Sequence, residues 1–353
     1  MCNPNPNGPT SVHRSVLKLS NDLSAHLTPS TSAYHEIWLD KKLVAGGEDN
    51  EPLYGKTYLP RKFKIAVAVP PSNDVDVLAH DLGYIAIVEN GVVIGYNVTV
   101  GGGMGQTHGN KKTYPVLAKP LGFCTPEQAV LVGEKVMLVQ RDYGERVNRK
   151  HARLKYTIED KGLDWFRTEV ESRLGYKLSP PKPYKFTSNG DRYGWANASD
   201  GTWSYTLFIQ NGRIKDTEDY SLKTGLREIA KIHKGSFALT PNQHLVIANI
   251  STSEKSLISS LLLKYGIDNN GLSGLRLNSM ACVALPTCAL AMAESERYLP
   301  VLVGKIESLL EANGLRDDAI TIRMTGCPNG CARPSIAEIA FIGKGNICIL
   351  ILS

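Results

Sequence analysis

The chain has no apolar run near the roughly eighteen residues that a membrane-spanning helix requires. Its apolar end, residues 347–352, is far too short. Residues 1–8 are rich in Asn and Pro and are built like neither a secretory signal nor a transit peptide. A reducing cytosol is the expected compartment, with no membrane role. The stretch Gly101-Gly102-Gly103-Met104-Gly105 lacks the spacing of a dinucleotide-binding fingerprint and has no closing Gly-Lys-Ser/Thr, which removes both nucleotide-binding loops. No zinc-finger spacing, sustained basic tract or aromatic–basic ladder accompanies the net charge of +6, so nucleic acid is not an expected partner. Cysteines are few and odd in number, seven in 353 residues, which argues against a disulfide framework.

What is present suits a globular chain of roughly two or three domains, with 42% hydrophobic and 21% charged residues. Val12, Val16, Leu19, Leu23 and Leu27 predict an amphipathic helix over 11–27. Residues 33–60 read as irregular, broken by Gly46-Gly47 and Pro52. The basic run Arg61-Lys62-Phe63-Lys64 leads into a strand over 65–70, and Glu89-Asn90-Gly91 joins strands 84–88 and 92–98 as a hairpin. The glycine-rich stretch is either a tight turn or, with Lys111 and Lys112 behind it, a loop facing an anion. Pro126 is placed at the first position of a helix to about 141, and the basic run 141–155 reads as a solvated face. A helix over 163–174 stops at Gly175, and Pro180-Pro181-Lys182-Pro183 marks a boundary. Strand 203–209, helix 222–233 capped near Ser221, strands 237–239 and 245–250 and helix 253–265 then form a ferredoxin-like half-unit. Beyond it come helices over 289–298 and 302–312 and strands over 320–324 and 339–342.

Four of the cysteines fall in two pairs, Cys282/Cys288 and Cys327/Cys331, while Cys2, Cys124 and Cys348 stand alone. Two short-range thiol pairs suit a tetrahedral sulfur site, each pair reaching one side of a metal or cluster. Buried core thiols, a zinc site and an iron–sulfur cluster are all compatible with the residues alone. The spacing, C-x5-C with C-x3-C, is not the C-x2-C run of a ferredoxin. A helix starting directly after Cys288 would put the site at a helix N-terminus, where free N–H groups favour thiolates.

These motifs resemble a known family. Asn278-Ser-Met-Ala-Cys282, Pro286-Thr-Cys288 and Thr325-Gly-Cys327-Pro-Asn-Gly-Cys331 are similar to the cluster-binding motifs of sulfite and nitrite reductases that carry siroheme and a [4Fe–4S] cluster. Tyr34-His-Glu-Ile-Trp38, Leu59-Pro-Arg-Lys-Phe-Lys64 and His108-Gly-Asn-Lys-Lys-Thr-Tyr114 resemble, within it, the hemoprotein beta subunits of NADPH-sulfite reductases. The resemblance implies an α+β fold with siroheme-binding lobes flanking a ferredoxin-like half-domain. The expected divisions are a first siroheme-binding lobe over 1–180, a ferredoxin-like lobe over 185–266 and a cluster-binding lobe over 271–353. It implies Cys282, Cys288, Cys327 and Cys331 as cluster ligands, with Cys331 also ligating the siroheme iron. Lys62 and Lys64 would hold the sulfite oxygens and help deliver protons. Arg61, Lys111, Lys112, Arg153 and Gln243 would face the siroheme, whose carboxylates require a basic pocket. Arg153 stands where relatives often have lysine, and the two are not equivalent in geometry.

The implied reaction is the six-electron reduction of sulfite to sulfide in sulfate assimilation and cysteine biosynthesis. Its electrons would come from NADPH through a separate flavoprotein (alpha) subunit carrying FAD and FMN, since this chain shows no nicotinamide or flavin site. The alternatives are a ferredoxin-dependent sulfite or nitrite reductase, and an inactive fragment keeping only an iron–sulfur or zinc site. Members of the family are longer at both ends. The N-terminal twin of the half-domain and its sulfite-binding arginines are therefore expected to be missing, and the cluster-binding lobe to be incomplete at its C-terminus. Residues 346–353 do not match the family's continuation, and exposed sheet edges are expected.

Overall fold

The computed structural model describes residues 10–31, 37–45, 51–198, 200–218, 220–345 and 348–352, with Leu43 and the last segment described in backbone only. Cys2, Tyr34-His35-Glu36 and Gly46-Gly47 lie outside the described residues.

The first core forms where apolar periodicity was clearest. Helix α1 (Ser11–Leu27) buries Val12, Val16, Leu19, Leu23 and Leu27, the predicted face. It shares a core with a four-stranded sheet of β1 (Ile65–Ala68), β2 (Leu82–Glu89), β3 (Val92–Val100) and β4 (Lys119–Cys124), paired in that order. Strands β2, β3 and β4 are antiparallel, and β1 pairs parallel to β2. The crossover between β1 and β2, residues 69–81, contains one 3-10 turn, Val77–Ala79. Helices α2 (Ala129–Tyr143), α3 (Leu154–Lys161) and α4 (Leu163–Leu174) complete this unit, with Gly175 in the left-handed conformation that ends α4. Full burial of side chains such as Leu23 and Leu82 contributes ~1.5–3 kcal/mol each.

Pro126 is not at the first helical position. It lies in the preceding turn, where its carbonyl accepts the N–H of Ala129, and the helix begins three residues later than expected. The basic run 141–155 is only partly a solvated face, because it contains the start of α3 and spends several of its charges on carbonyls. Arg146 donates to Thr57 and Tyr58, and Lys155 is 3% exposed.

The second core is the ferredoxin-like unit. Strands β5 (Gly194–Asn197), β6 (Trp203–Leu207), β7 (Ser236–Leu239) and β8 (Leu245–Ile250) form an antiparallel sheet in the order β7-β8-β6-β5. Helices α5 (Leu222–Ile232) and α6 (Thr252–Lys264) cover it through Leu222, Leu226, Ile229, Ile258 and Leu262. Ser251 and Glu254 close a capping box at the start of α6.

The third sheet comprises β9 (Ser279–Ala281), β10 (Ile322–Thr325), β11 (Ile339–Gly343) and β12 (Cys348–Leu352), with β9, β10 and β11 parallel and β12 antiparallel at the end. The apolar tail thus supplies a strand that pairs with β11. Helix α7 (Leu299–Ala312) packs Leu299 and Val303 on this sheet. No helix of the described residues is long and apolar enough to cross a membrane.

The helix expected over 289–298 does not form. The segment runs through turns, and its donors are taken elsewhere. The N–H groups of Met292 and Ala293 bond the Gly326 carbonyl, and the buried Ser295 hydroxyl bonds the Met324 carbonyl. Glu296 pairs with Arg213 of the ferredoxin-like unit. Good helical propensity is overridden by pairing with the end of β10, so Cys288 is not at a helix N-terminus.

Candidate functional site

The cysteine loop follows from the third sheet. Strand β10 is buried along its length and delivers Thr325, Gly326 and Cys327 at its end. Strand β9 runs parallel beside it and delivers Cys282, whose N–H bonds the Met324 carbonyl. The Cys282 sulfur accepts the Gly326 N–H at 3.2 Å and the Thr325 hydroxyl at 3.5 Å, both suited to a sulfur bearing negative charge. Cys327 is buried, Cys282 and Cys288 are half-buried and Cys331 is exposed. Cys288 sits on a turn closed by its N–H to the Ala284 carbonyl, between exposed Leu285 and Leu290.

The lysine side approaches from the first sheet. Past a bend at Pro60-Arg61, Phe63 is half-buried against the first core, and Lys62 and Lys64 on either side of it are exposed. The Lys64 ammonium is held below its ordinary range, first by desolvation and then by Lys62 and Arg153, with Asp81 opposing. The Cys331 thiol is raised by desolvation and by Cys282 and Cys327, while Lys62 and Lys64 pull it down. Three of the four thiols and both lysines therefore share one electrostatic neighbourhood.

The glycine-rich loop turns out to be a close-packing device. A Cβ on Gly102 would collide with the carbonyl oxygens of Leu78 and His80, so only glycine fits there. One on Gly105 would come 3.0 Å from the Asn329 carbonyl, and one on Gly330 equally close to the Met104 carbonyl. The Gln106 N–H bonds the Pro328 carbonyl at 3.0 Å. The loop thus lies backbone to backbone on the Cys327–Cys331 loop. Lys155 anchors it from below, donating to the carbonyls of Gly103, Gly105 and Tyr114, and burial lowers this lysine to about 8.

The other expected residues divide. Arg153 makes a two-pronged pair with the fully buried Asp81, at 3.0 and 2.7 Å, and Asp81 also accepts the Lys64 N–H. Gln243 bonds the Ala281 carbonyl, one residue before Cys282, and its own carbonyl oxygen is buried without a protein partner. Arg61, Lys111 and Lys112 are exposed, the two lysines on the turn that follows the glycine loop. Spacing did not reveal Asp76, Arg323 or Arg333. Asp76 takes Arg323 at 2.8 Å and Arg333 at 2.5 Å on one carboxylate oxygen. Arg333 lies two residues past Cys331, a proximity that was available as a signal, but its partner is 257 residues away.

The donor set can be tested against the cofactors. Among the described residues no three His, Cys, Asp or Glu side chains converge closely enough to hold one metal ion. A single zinc would draw its sulfurs to about 2.3 Å, and a polynuclear cluster would hold its four cysteines farther apart. The donors on the Cys282 sulfur and the orphaned oxygen of Gln243 also fit a bound group.

The sequence itself matches the model of the "Nitrite and sulphite reductase 4Fe-4S domain" over residues 19–178 and of the "Nitrite/Sulfite reductase ferredoxin-like half domain" over 197–265. The chain is 60% identical over 350 residues to the "Sulfite reductase [NADPH] hemoprotein beta-component" of Geobacillus kaustophilus, covering 98% of this chain and 61% of that protein. Its counterparts in Oceanobacillus iheyensis and Staphylococcus saprophyticus are 60% and 59% identical. The chain belongs to the nitrite and sulfite reductase family. Among solved structures, the Mycobacterium tuberculosis NirA protein matches with a TM-score of 0.73 at 25% identity, over 99% of this chain and 60% of that one. The fold is therefore that of the siroheme-binding reductase lobes with a ferredoxin-like half-domain. The chain spans about 61% of the length of the curated relatives it matches. Both family-model matches end before Cys282, whereas the alignment to the relatives covers nearly the whole chain.

Proposed function

We propose that the chain carries the siroheme- and cluster-binding part of an assimilatory NADPH-sulfite reductase hemoprotein. Its reaction is the six-electron reduction of sulfite to sulfide, in sulfate assimilation toward cysteine. The observation that supports this best is the neighbourhood of Cys331, whose thiol is raised by Cys282 and Cys327 and pulled down by Lys62 and Lys64, on a loop packed against the glycine-rich backbone. Cys282, Cys288, Cys327 and Cys331 would hold the [4Fe–4S] cluster, and Cys331 would also reach the siroheme iron. When bound, the siroheme and cluster supply the electrons. The protein's own part is electrostatic and acid–base.

Sulfite is an anion whose oxygens leave as water, so positive charge and proton donors must stand beside it. Lys62 and Lys64 would meet both needs, and the lowered affinity of Lys64 for its proton suits it to donate one. Asp81 ties the Lys64 backbone and the Arg153 guanidinium to one carboxylate. Arg153, Arg61, Lys111, Lys112 and Gln243 would take siroheme carboxylates and polar edges. Electrons would enter through a separate flavoprotein carrying FAD and FMN.

The test is sulfide formation from sulfite by the siroheme-loaded chain with an artificial electron donor. A second arm offers the flavoprotein or ferredoxin as the reductant. Sulfide production that depends on Lys62 and Lys64 supports the reading. A protein that holds siroheme and makes no sulfide overturns the activity, and reduction by ferredoxin alone overturns the partner.

A further inference from the structure

The lysine side and the cysteine side belong to different sheets, yet one short segment touches both. Residues 76–81 form the end of the crossover between β1 and β2, stiffened by the Val77–Ala79 turn. At its far end Asp81, 0% exposed, accepts the Lys64 N–H at 2.9 Å and both prongs of Arg153. At its near end Asp76, 4% exposed, takes Arg323 from within β10 and Arg333 from just past Cys331. Arg323 also donates to the Arg333 carbonyl, and Arg333 reaches the Asn242 side chain of the ferredoxin-like unit. Between the two ends, the carbonyls of His80 and Asp81 hold the N–H groups of Gly102 and Gly101, the start of the loop that lies on Pro328 and Asn329.

Surface ion pairs do not fix distances, because their side chains are free to wander. This one is different. Arg323 and Asp76 are both buried, and a buried pair that loses one partner is left with an uncompensated charge. Asp76 and Arg333 are also both in the left-handed backbone region, at φ 48° and 52°, a conformation that non-glycine residues keep only when their surroundings hold them. A grip of this kind sets position.

We propose that residues 76–81 are a gauge that sets the separation of Cys331 from Lys62 and Lys64, with Asp76 as the positioning residue on the cysteine side. The proposal rests on reading those three residues as one site, and its test needs no cofactor. In the cofactor-free protein, a short amine-to-thiol cross-linker joins Lys62 or Lys64 to Cys331, and peptide mass spectrometry reads the yield. In Asp76→Asn the yield falls at least about fivefold, because the charge that holds Arg333 is gone. A longer linker restores the yield, and alkylation of the buried Cys124 stays as slow as in the parent. A merely structural loss would open Cys124 as well.

Arg333→Lys keeps the charge but cannot bond Asp76 and Asn242 together, and shows a smaller fall in the same direction. An unchanged short-linker yield in either folded variant overturns the gauge. Hydrogen exchange on the parent protein covers the case in which neither variant folds. Residues 76–81 and 327–333 then open as one unit with rising denaturant, and independent opening overturns the proposal. All three measurements omit siroheme and iron, so they decide on the gauge even for a chain that fails to bind cofactor.

Discussion

The two cysteine pairs, C-x5-C and C-x3-C, read alike as thiol pairs in the sequence and differ as structure. Cys327 and Cys331 lie on a loop that leaves a buried strand, is covered by the glycine-rich backbone and is pinned through Arg333 to Asp76. Cys282 shares that order, because its sulfur takes two donors from Thr325 and Gly326. Cys288 does not. It sits on a turn between exposed Leu285 and Leu290, just before the residues over which a helix was expected. On the proposed reading, hydrogen bonds and packing from neighbouring segments hold three of the cluster's cysteines, and Cys288 is held by its own turn.

The sharpest way to break this contrast is to remove the thiols one at a time. Cys282→Ser or Cys331→Ser is expected to abolish iron uptake on anaerobic reconstitution, read by iron and sulfide content. Cys288→Ser is expected to leave a labile, iron-poor cluster. In the cofactor-free chain, alkylation should reach Cys288 at least about tenfold faster than Cys327. Equal rates would remove the distinction.

The next effect concerns the lysine side. Asp81→Ala strands Arg153 and frees the Lys64 backbone, and should cost about 3–5 kcal/mol in denaturant unfolding. Its size tests whether the lysine side is as firmly preset as Cys327.

A smaller effect lies in the acid pair behind Asp76. Burial, with Asp191 beside it, pushes Asp74 up to about 7, and burial pushes Asp191 up to about 6. An unfolded aspartate titrates near ~3.9, so between that value and the folded ones the folded chain holds the extra protons. Stability is therefore present at low pH and lost as pH rises through this window. Asp74→Asn, which imitates the protonated acid, should raise the melting temperature at pH 8 by a few degrees, at ~2–4 °C per kcal/mol, and change little at pH 4. Lys111→Ala is the smallest, within about 0.5 kcal/mol of the parent in stability, since its side chain is exposed.

Much of this was legible before any coordinates. The period of α1 and the hairpin at Glu89-Asn90-Gly91 are local signals, and both appear. The strand–helix–strand–strand–helix order of the half-domain appears as well. Phe63 between Lys62 and Lys64 already implied that both lysines share a side. What local pattern could not carry was long-range. Nothing in residues 289–298 announces that Gly326 and Met324 will claim their donors. Lys155 looked like one more surface charge until three carbonyls of a distant loop converged on it. The parallel pairing of β1 with β2 is likewise a matter of which strands meet, and it is this pairing that creates the short crossover carrying Asp76 and Asp81.

Anaerobic reconstitution of the full chain with iron, sulfide and siroheme, followed by absorption spectroscopy and iron counting, tests most directly whether Cys331 joins the two cofactors. A siroheme band together with about four cluster irons per chain is expected, both lost in Cys331→Ser. A folded chain that binds one zinc in their place, or that binds siroheme equally well without Cys331, would contradict that role.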